Sequence, residues 1–200
     1  MNISIECVAS SATAACQVRN EVFGREWHVI LPELTQYSPE RQITLVAHDR
    51  SSDEPVAVLT ALETTREEEM HARLGLSFFH HERVARYTQL AVLKPYRGLN
   101  LPVRLILEAH RRFVSPRGIR YTWLLFDAER AKTSSLGSLL GFSVSSRKFL
   151  TEYGCSRALT RDETTAHAKS CDRLAQASVD GAVYAGLAGS IAAGTREARW

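Results

Sequence analysis

The stretch YTQLAVLKPYRGLNLPVRLILEA, residues 87–109, is the most informative part of the chain. Its first part has the pattern of a buried strand, residues 94–98 are typical of a turn, and an amphipathic helix begins at Leu101. Such a connection points free backbone N–H groups and a helix N-terminus at one place, where a phosphate can bind. Arg97 adds a positive charge at the rim of that place. The alternative is an ordinary strand-turn-helix connection without a ligand, which α/β proteins contain many times.

Periodicity on both sides of this stretch predicts further strands and helices. Ser10 or Ser11 can cap a first amphipathic helix, and Gly24 can end it. The predicted strands are residues 2–8, 42–49, 55–60 with an extension up to Glu63, 84–93, 119–126 and 142–150, and the predicted helices are residues 11–23, 65–83 (with a loop), 101–114 and 128–140.

This order of elements predicts an α/β (α+β) fold, with a mixed sheet and helices on both of its faces. A chain of 200 residues can bury one substantial core, and we expect that domain to cover residues 1–157. From residue 158 the composition shifts to Ala, Gly, Ser and Thr. For residues 158–200 we therefore expect a peripheral helix or a disordered tail.

The bulk composition excludes several classes of protein. A net charge of +3 without a basic cluster argues against a nucleic-acid partner. No apolar run of about 18 residues is present, so we expect no membrane span. The N-terminus lacks the pattern of a signal peptide, and a cytoplasmic location is the expectation. The four cysteines have no metal-ligand spacing, so we expect reduced thiols and no metal.

A resemblance to a known superfamily rests on two short motifs. LAV at residues 90–92, YRG at residues 96–98 and the helix after them resemble the acyl-CoA motif of the GCN5-related N-acetyltransferase (GNAT) superfamily. SLLGFS at residues 138–143 is similar to the helix-LGF-strand ending of that superfamily. The resemblance covers residues 3–150. It implies a mostly antiparallel, twisted sheet in which two central strands splay apart, and the transfer of an acyl group from a pantetheine thioester to an amine.

A narrower resemblance begins in the first helix. Arg19, Phe23 and Trp27 resemble the start of the acyl-homoserine-lactone synthases and the related N-acyl amino acid synthases. ELTQYS at residues 33–38 is similar to their acidic segment, and TQLAV at residues 88–92 lies where they carry Ser-Arg-aromatic-Ala-Val. The resemblance implies that Arg19, Phe23 and Trp27 line the acceptor site. The alternative is that they only pack the first helix.

The superfamily resemblance also implies which groups hold the co-substrate, acyl-CoA or an acyl-phosphopantetheine on an acyl carrier protein. The pantetheine arm would lie in the gap between the splayed strands and pair with the backbone of Gln89, Leu90 and Val92. One of these N–H groups would stabilise the oxyanion of a tetrahedral intermediate. The phosphate end would lie on the turn, which is formed by Arg97, Gly98, Leu99, Asn100 and Leu101.

The reaction needs a base more than an acid. An α-amino group has a pKa near 8 and must lose its proton, whereas a thiol with a pKa of about 8.5 leaves readily as a thiolate. The candidate catalytic bases are Glu33, Glu63 and Tyr87, with water relays as a further route. Many superfamily members place a tyrosine acid where this chain has Gly137.

Departures from these families bear on both substrates. Asn100 and Pro102 replace small residues of the turn. Asn100 crowds the approach of the backbone to a ligand, and Pro102 has no N–H to donate. Both changes are expected to weaken the binding of a diphosphate. A carrier protein offers a single phosphodiester and is modestly favoured over coenzyme A, although both stay open. Arg86 replaces a glutamate of the lactone synthases, and only Glu33 remains of their three acidic-segment carboxylates. Lactone synthesis is therefore not expected, and Arg86 suggests an anionic acceptor.

The sequence predicts an N-acyltransferase that acts on an amine, such as an amino acid or a peptide amine, as a monomer or a homodimer. Two alternatives stay open. The first is an acetyl-CoA-dependent N-acetyltransferase with a short acyl channel. The second is an inactive GNAT fold that binds an acyl ligand or a partner protein. Thiol release across a panel of amines distinguishes them.

Overall fold

The structure of the protein is a computed structural model, and it describes residues 2–31, 34, 37–65, 83–127, 140, 142–151 and 154–162. Within these residues, seven strands form one sheet in the order β1-β2-β3-β4-β5-β7-β6. The strands are β1 Ile3–Val8, β2 Gln42–Asp49, β3 Glu54–Thr65, β4 Arg83–Val92, β5 Tyr121–Asp127, β6 Ser143–Thr151 and β7 Gly154–Asp162.

The sheet is mixed. Neighbours are antiparallel from β1 to β4 and between β6 and β7, whereas β4 and β5 are parallel. The middle of β2 and of β3 is buried on successive residues, as expected where both faces of a sheet are covered. The predicted fold class is therefore confirmed.

In the described part of the chain, one helix covers each face of the sheet. Helix α1, Thr13–Arg19, continues as a π-helical turn over Asn20–Glu26, and its buried face packs on Val46, Val58 and Ala91. Helix α2, Leu101–Ala109, contacts β2, β3 and β4. The neighbours of Val46 and Val58 along their strands point away from α1, because side chains alternate along a strand. These neighbours, Leu45 and Leu59 among them, are fully buried on the α2 side.

The ends of the first helix differ from the prediction, whereas the helical structure that begins with α2 reaches Val114 as predicted. Neither Ser10 nor Ser11 caps α1; the residue before the helix is Ala12, and no side chain caps it. The Ser10 carbonyl instead accepts a hydrogen bond from Arg19. Helical structure also runs through Gly24 to Glu26, because the backbone widens into a π-helical turn there. Helix α2 widens in the same way over His110–Val114 and stops at Gly118, whose φ is 61°.

Strand β7 is the element that the sequence did not predict. It crosses residue 157, where we expected the domain to end, and residues 1–161 form one compact unit. Its sequence, GCSRALTRD, lacks the alternation of large apolar residues that announces a strand. The predicted helices at residues 65–83 and 128–140 and the predicted tail at residues 158–200 lie mostly outside the described residues. Where their ends are described, Thr65 and Arg83 belong to β3 and β4, and residues 158–162 belong to β7. Within the described ranges, no helix is long and apolar enough to cross a membrane.

Candidate active site

Strand β4 carries a bulge in its middle. Between Val58 and Thr60, β3 has one residue, whereas the matching part of β4, between Thr88 and Ala91, has two. One of the two, Gln89, has a φ of 53°, in the left-handed region that few residues other than glycine adopt. Such a bulge bends the strand, leaves backbone groups unpaired and re-aims the side chains that follow.

Strands β4 and β5 part next to this bulge. Their parallel ladder runs from Val84 and Tyr121 to Tyr87 and Leu124, and no further pair joins them within the described residues. Strand β4 nevertheless continues to Val92. Within the described residues, no strand pairs with the β5 side of β4 after Tyr87, and a strand edge of this kind can pair with an extended ligand. The expected splayed pair of strands is present.

The turn after β4 is open to solvent. A 3₁₀ turn, Lys94–Tyr96, is followed by Gly98, with a φ of 88°, and then by the start of α2. Arg97, Gly98 and Leu99 are exposed. The first N–H groups of α2 have no helical acceptor, although Pro102 contributes none. The turn therefore exposes backbone where the sequence predicts an anion site, and the site itself stays a prediction.

Asn100 preserves the backbone path of this turn. It has a φ of 55° and a ψ of 23°, a left-handed conformation that a small residue such as glycine takes most easily. Asparagine is among the few other residues that tolerate it. The sequence predicts that Asn100 crowds the backbone where a phosphate would approach. In the structure the same residue also adopts the left-handed conformation that this turn needs.

Arg97 is already engaged with a carboxylate. Its two terminal nitrogens donate to both oxygens of Glu26, with an Nη1–Oε1 distance of 2.6 Å. Its Nε donates to the Val92 carbonyl at 3.0 Å. The predicted phosphate ligand is thus tied to the end of the π-helical turn that follows α1. No sequence pattern points to Glu26, because it lies far from Arg97 along the chain.

Phe23 and Trp27 lie beside the bulged half of β4. Their rings meet edge to face at 5.2 Å between centroids, and both belong to the cluster around Val58 and Ala91. Phe23 is buried, whereas Trp27 is partly exposed. The structure thus places the two residues where they pack α1 against the sheet and also adjoin the open part of β4.

Arg19 is a buried cation with neutral partners. Its guanidinium donates to the Ser10 carbonyl at 2.6 Å and to the Thr60 hydroxyl at 2.7 Å, and Thr60 in turn bonds to Thr44 at 2.9 Å. Within the described residues no carboxylate pairs with it, and its Nε has no hydrogen-bond partner. Burial lowers the pKa of Arg19 from its ordinary value. Thr88 lies directly opposite Thr60, so this polar group reaches the bulge of β4.

Arg86 extends the same polar surface along β4. It lies two residues before Thr88 and so shares its face of the sheet. Its guanidinium carbon is 5.7 Å from the centre of the Trp123 ring on β5. The structure therefore brings Arg19 and Arg86 to the α1 face, next to the point where β4 and β5 part.

Two of the three candidate bases, Glu63 and Tyr87, lie on the α2 face of neighbouring strands. Glu63 points to the α2 face and is ion-paired to Arg83 at 2.5 Å and to Arg117 at 3.6 Å. Tyr87 is buried on that face as well, at the last pair of the β4–β5 ladder, with its ring 6.4 Å from that of Phe142. Glu33 lies outside the described residues. The catalytic roles of all three stay predictions.

Comparison with solved structures identifies the fold of the chain. No family model matches the chain, and no curated protein sequence does. Three solved structures illustrate the likeness. FeeM, an N-acyl amino acid synthase from uncultured soil microbes, is similar with a TM-score of 0.62 and 11% identity, over 84% of this chain and 94% of its own. An acyl-CoA N-acyltransferase from Pseudomonas aeruginosa has a TM-score of 0.58 and 16% identity, over 80% and 99%. An acetyltransferase of the GNAT family from Staphylococcus aureus has a TM-score of 0.57 and 13% identity, over 81% and 99%.

Proposed function

We propose that the chain, which has the GNAT fold, is an N-acyltransferase that moves an acyl group from a pantetheine thioester to an amine. The observation that carries the proposal is the parting of β4 from β5 next to the bulge at Gln89. A plain mixed sheet would continue its ladder there. An open, bent strand edge is instead the geometry that receives an extended arm with alternating amide groups.

The proposed reaction follows from this edge. The arm pairs with the backbone of Gln89, Leu90 and Val92, and one N–H points at the thioester carbonyl. The neutral amine attacks the carbonyl carbon, and that N–H stabilises the oxyanion of the tetrahedral intermediate, which is worth a few kcal/mol. Collapse of the intermediate breaks the C–S bond and releases the thiolate, and the amine nitrogen loses its proton to a base or to water.

We propose an acyl carrier protein as the preferred donor and coenzyme A as the alternative. The phosphate end lies on the turn that begins α2, against the N–H groups of Gly98, Leu99, Asn100 and Leu101. Pro102 removes one donor from that helix end, so a diphosphate is held less well than a single phosphodiester. Arg97 would contribute charge to this site.

We propose that the acceptor carries a carboxylate, as an amino acid does. The hydrogen-bond partners of Arg19 in the described part of the chain, Ser10 and Thr60, are neutral, and such a buried cation gains most from an anion brought close to it. Arg86 lies on the same face of the sheet. The likeness to an N-acyl amino acid synthase supports the same acceptor class. Trp27 and Phe23 would supply the apolar wall of this site.

Glu63 is the weakest of the three candidate bases. Its oxygens contact two arginines on the face of the sheet opposite Arg19, so a base role would require these ion pairs to break. Tyr87 lies on that face as well, at the last pair of the β4–β5 ladder, so it would need a water relay to act on an amine held on the α1 face. Glu33 belongs to the segment that follows Trp27 and stays a further candidate.

Thiol release measures this function directly. Decanoyl and acetyl thioesters of coenzyme A and of a carrier protein are offered with amino acids and with the matching decarboxylated amines, such as tyrosine and tyramine. We expect turnover with the long chain, and a kcat/KM at least tenfold lower for the amines, because each lost ionic contact costs about 1.4 kcal/mol or more. Release from acetyl donors alone would favour an acetyltransferase. Tight donor binding without any release would favour an inactive fold.

A further inference from the structure

The carboxylate of Glu26 bridges the two sides of the candidate site. It accepts two hydrogen bonds from Arg97 on the phosphate turn and one from the Trp27 side chain. Glu26 is the last residue of the π-helical turn Asn20–Glu26, so it joins the α1 side of the molecule to the turn before α2. The hydrogen bonds from Arg97 hold the pKa of Glu26 below its ordinary value, so the carboxylate stays charged near neutral pH.

This ion pair cancels the main positive charge of the phosphate turn. Of the five N–H groups of Arg97, two are taken by Glu26 and one by the Val92 carbonyl. Lys94, at the start of the same turn, is the other cation whose charge reaches Glu26. A donor phosphate that approaches Arg97 therefore meets a carboxylate on the same guanidinium.

We propose that Glu26 is a donor-specificity residue: its carboxylate competes with donor phosphate for Arg97 and so selects against coenzyme A. The inference rests on the proposed function, because it assumes that the turn receives the phosphate end of a pantetheine donor. Coenzyme A brings a diphosphate and a 3′-phosphate towards the Glu26–Arg97 pair, whereas a carrier protein brings one phosphodiester. Repulsion by Glu26 grows with the negative charge of the donor. The binding of coenzyme A is therefore weakened most.

Binding measurements separate this charge effect from a structural one. Calorimetry gives the Kd of pantetheine, 4′-phosphopantetheine and coenzyme A for the full chain and for Glu26→Gln, which keeps the shape of the side chain and removes its charge. We expect the variant to bind coenzyme A about tenfold more tightly, since one unit charge is removed beside a partly exposed phosphate. The increase in affinity should be smaller for 4′-phosphopantetheine and absent for pantetheine. It should shrink at high salt, which screens exposed charges.

Glu21→Gln is the matched control. Glu21 lies on the same π-helical turn and is ion-paired to Arg25 at 2.8 Å, so its loss changes the net charge equally without touching the phosphate turn. We expect all three Kd values to change less than twofold. Glu26→Asp, which keeps the charge, should bind coenzyme A as the parent protein does.

Two results would overturn the inference. One is that Glu26→Gln binds coenzyme A with the same affinity as the parent protein, with a lower affinity or not detectably. The other is that the substitution increases the affinity for pantetheine as much as the affinity for coenzyme A. Neither result touches the proposed function, which is judged by thiol release from acyl donors. If no acyl donor released its thiol, the proposed function would instead be wrong, whatever the binding data for Glu26→Gln showed.

Discussion

Asn100 decides the path of the phosphate turn at the scale of a single residue. Its left-handed backbone, with a φ of 55°, lets the chain enter α2 immediately after Leu99. Replacement by alanine should cost about 1 kcal/mol of unfolding free energy, because a Cβ without a polar group disfavours this region. Glycine should be tolerated within a few tenths of a kcal/mol, since its entropy cost is offset by its freedom at positive φ.

Urea denaturation of the two variants checks this prediction. Asn20→Ala serves as the control, because Asn20 has a φ of −63°, which alanine adopts readily. The expected order of stability is parent, Asn100→Gly and then Asn100→Ala, with Asn20→Ala close to the parent. Equal stability of Asn100→Ala and Asn100→Gly would show that the turn does not need a left-handed residue.

Single residues also show how far a sequence can predict a site. Arg97 could be singled out because a turn before a helix is a local pattern. Its pairing with Glu26 could not, because no local rule relates two residues that only the folded sheet brings together. The same holds for Glu63, whose ion pairs with Arg83 and Arg117 depend on the register of β3 and β4 and on the end of α2.

Strand β4 is the element on which the proposed activity depends. Its bulge needs a positive φ at Gln89, which β-branched residues strongly disfavour. Gln89→Val should therefore strain the bulge by about 1–3 kcal/mol and lower kcat at least tenfold as the strand edge is re-aimed. Gln89→Gly and Gln89→Asn should keep the bulge, and with it a kcat within about threefold of the parent. Thiol-release kinetics together with thermal unfolding measure both effects. Similar kcat values for the valine and glycine variants would separate the bulge from catalysis.

Regular elements were predictable, and their irregularities were not. Strand β2 was predicted over residues 42–49 and forms over Gln42–Asp49, because QITLVAHD is rich in strand-forming residues and is followed by a turn. The π-helical turns after α1 and α2 have no counterpart in apolar periodicity. The predicted end of the first helix at Gly24 was therefore wrong, whereas the helical structure that begins with α2 reaches Val114 as predicted. The bulge at Gln89 could not be predicted from the sequence either, because glutamine is not typical of positions with a positive φ.

Helix α2 carries a pH-dependent contribution to stability. Glu108 accepts hydrogen bonds from Arg111 and Arg112 and is largely buried, and the bonds from Arg111 above all lower the pKa of its carboxyl. A carboxyl with a lowered pKa in the folded state stabilises the protein above its ordinary pKa, near 4.3, and loses this contribution as the pH falls through the lowered value.

The Glu108→Gln variant should therefore be less stable than the parent at pH 7, by about 1–2 kcal/mol, and the difference should shrink in acid. Urea midpoints at about pH 7 and about pH 3.5 measure it. Glu21→Gln, which alters an exposed ion pair, should show a smaller difference at both values. A Glu108→Gln deficit that is equally large in acid would contradict the assignment, because it would not depend on the charge of the carboxyl.

At the scale of the whole molecule, the sheet brings together two surfaces that the sequence keeps apart. The phosphate turn follows the end of β4, and the polar group of Arg19 and Thr60 lies on the α1 face. Both border the part of β4 that follows its last described pair with β5. The order of elements was enough to predict a mixed sheet with helices on both faces, whereas the open strand edge was implied only by the resemblance to the superfamily. The donor and the acceptor depend on contacts such as that between Glu26 and Arg97, which no element order specifies.

Amide hydrogen exchange of β4, followed by NMR with and without a non-transferable thioether analogue of an acyl-pantetheine donor, tests the central claim most directly. The account predicts that a saturating analogue slows exchange at those amides of residues 88–92 that face β5, because the arm accepts their hydrogen bonds. Amides of β2 should exchange as before. Unchanged exchange along residues 88–92, with protection elsewhere in the chain, would contradict the account.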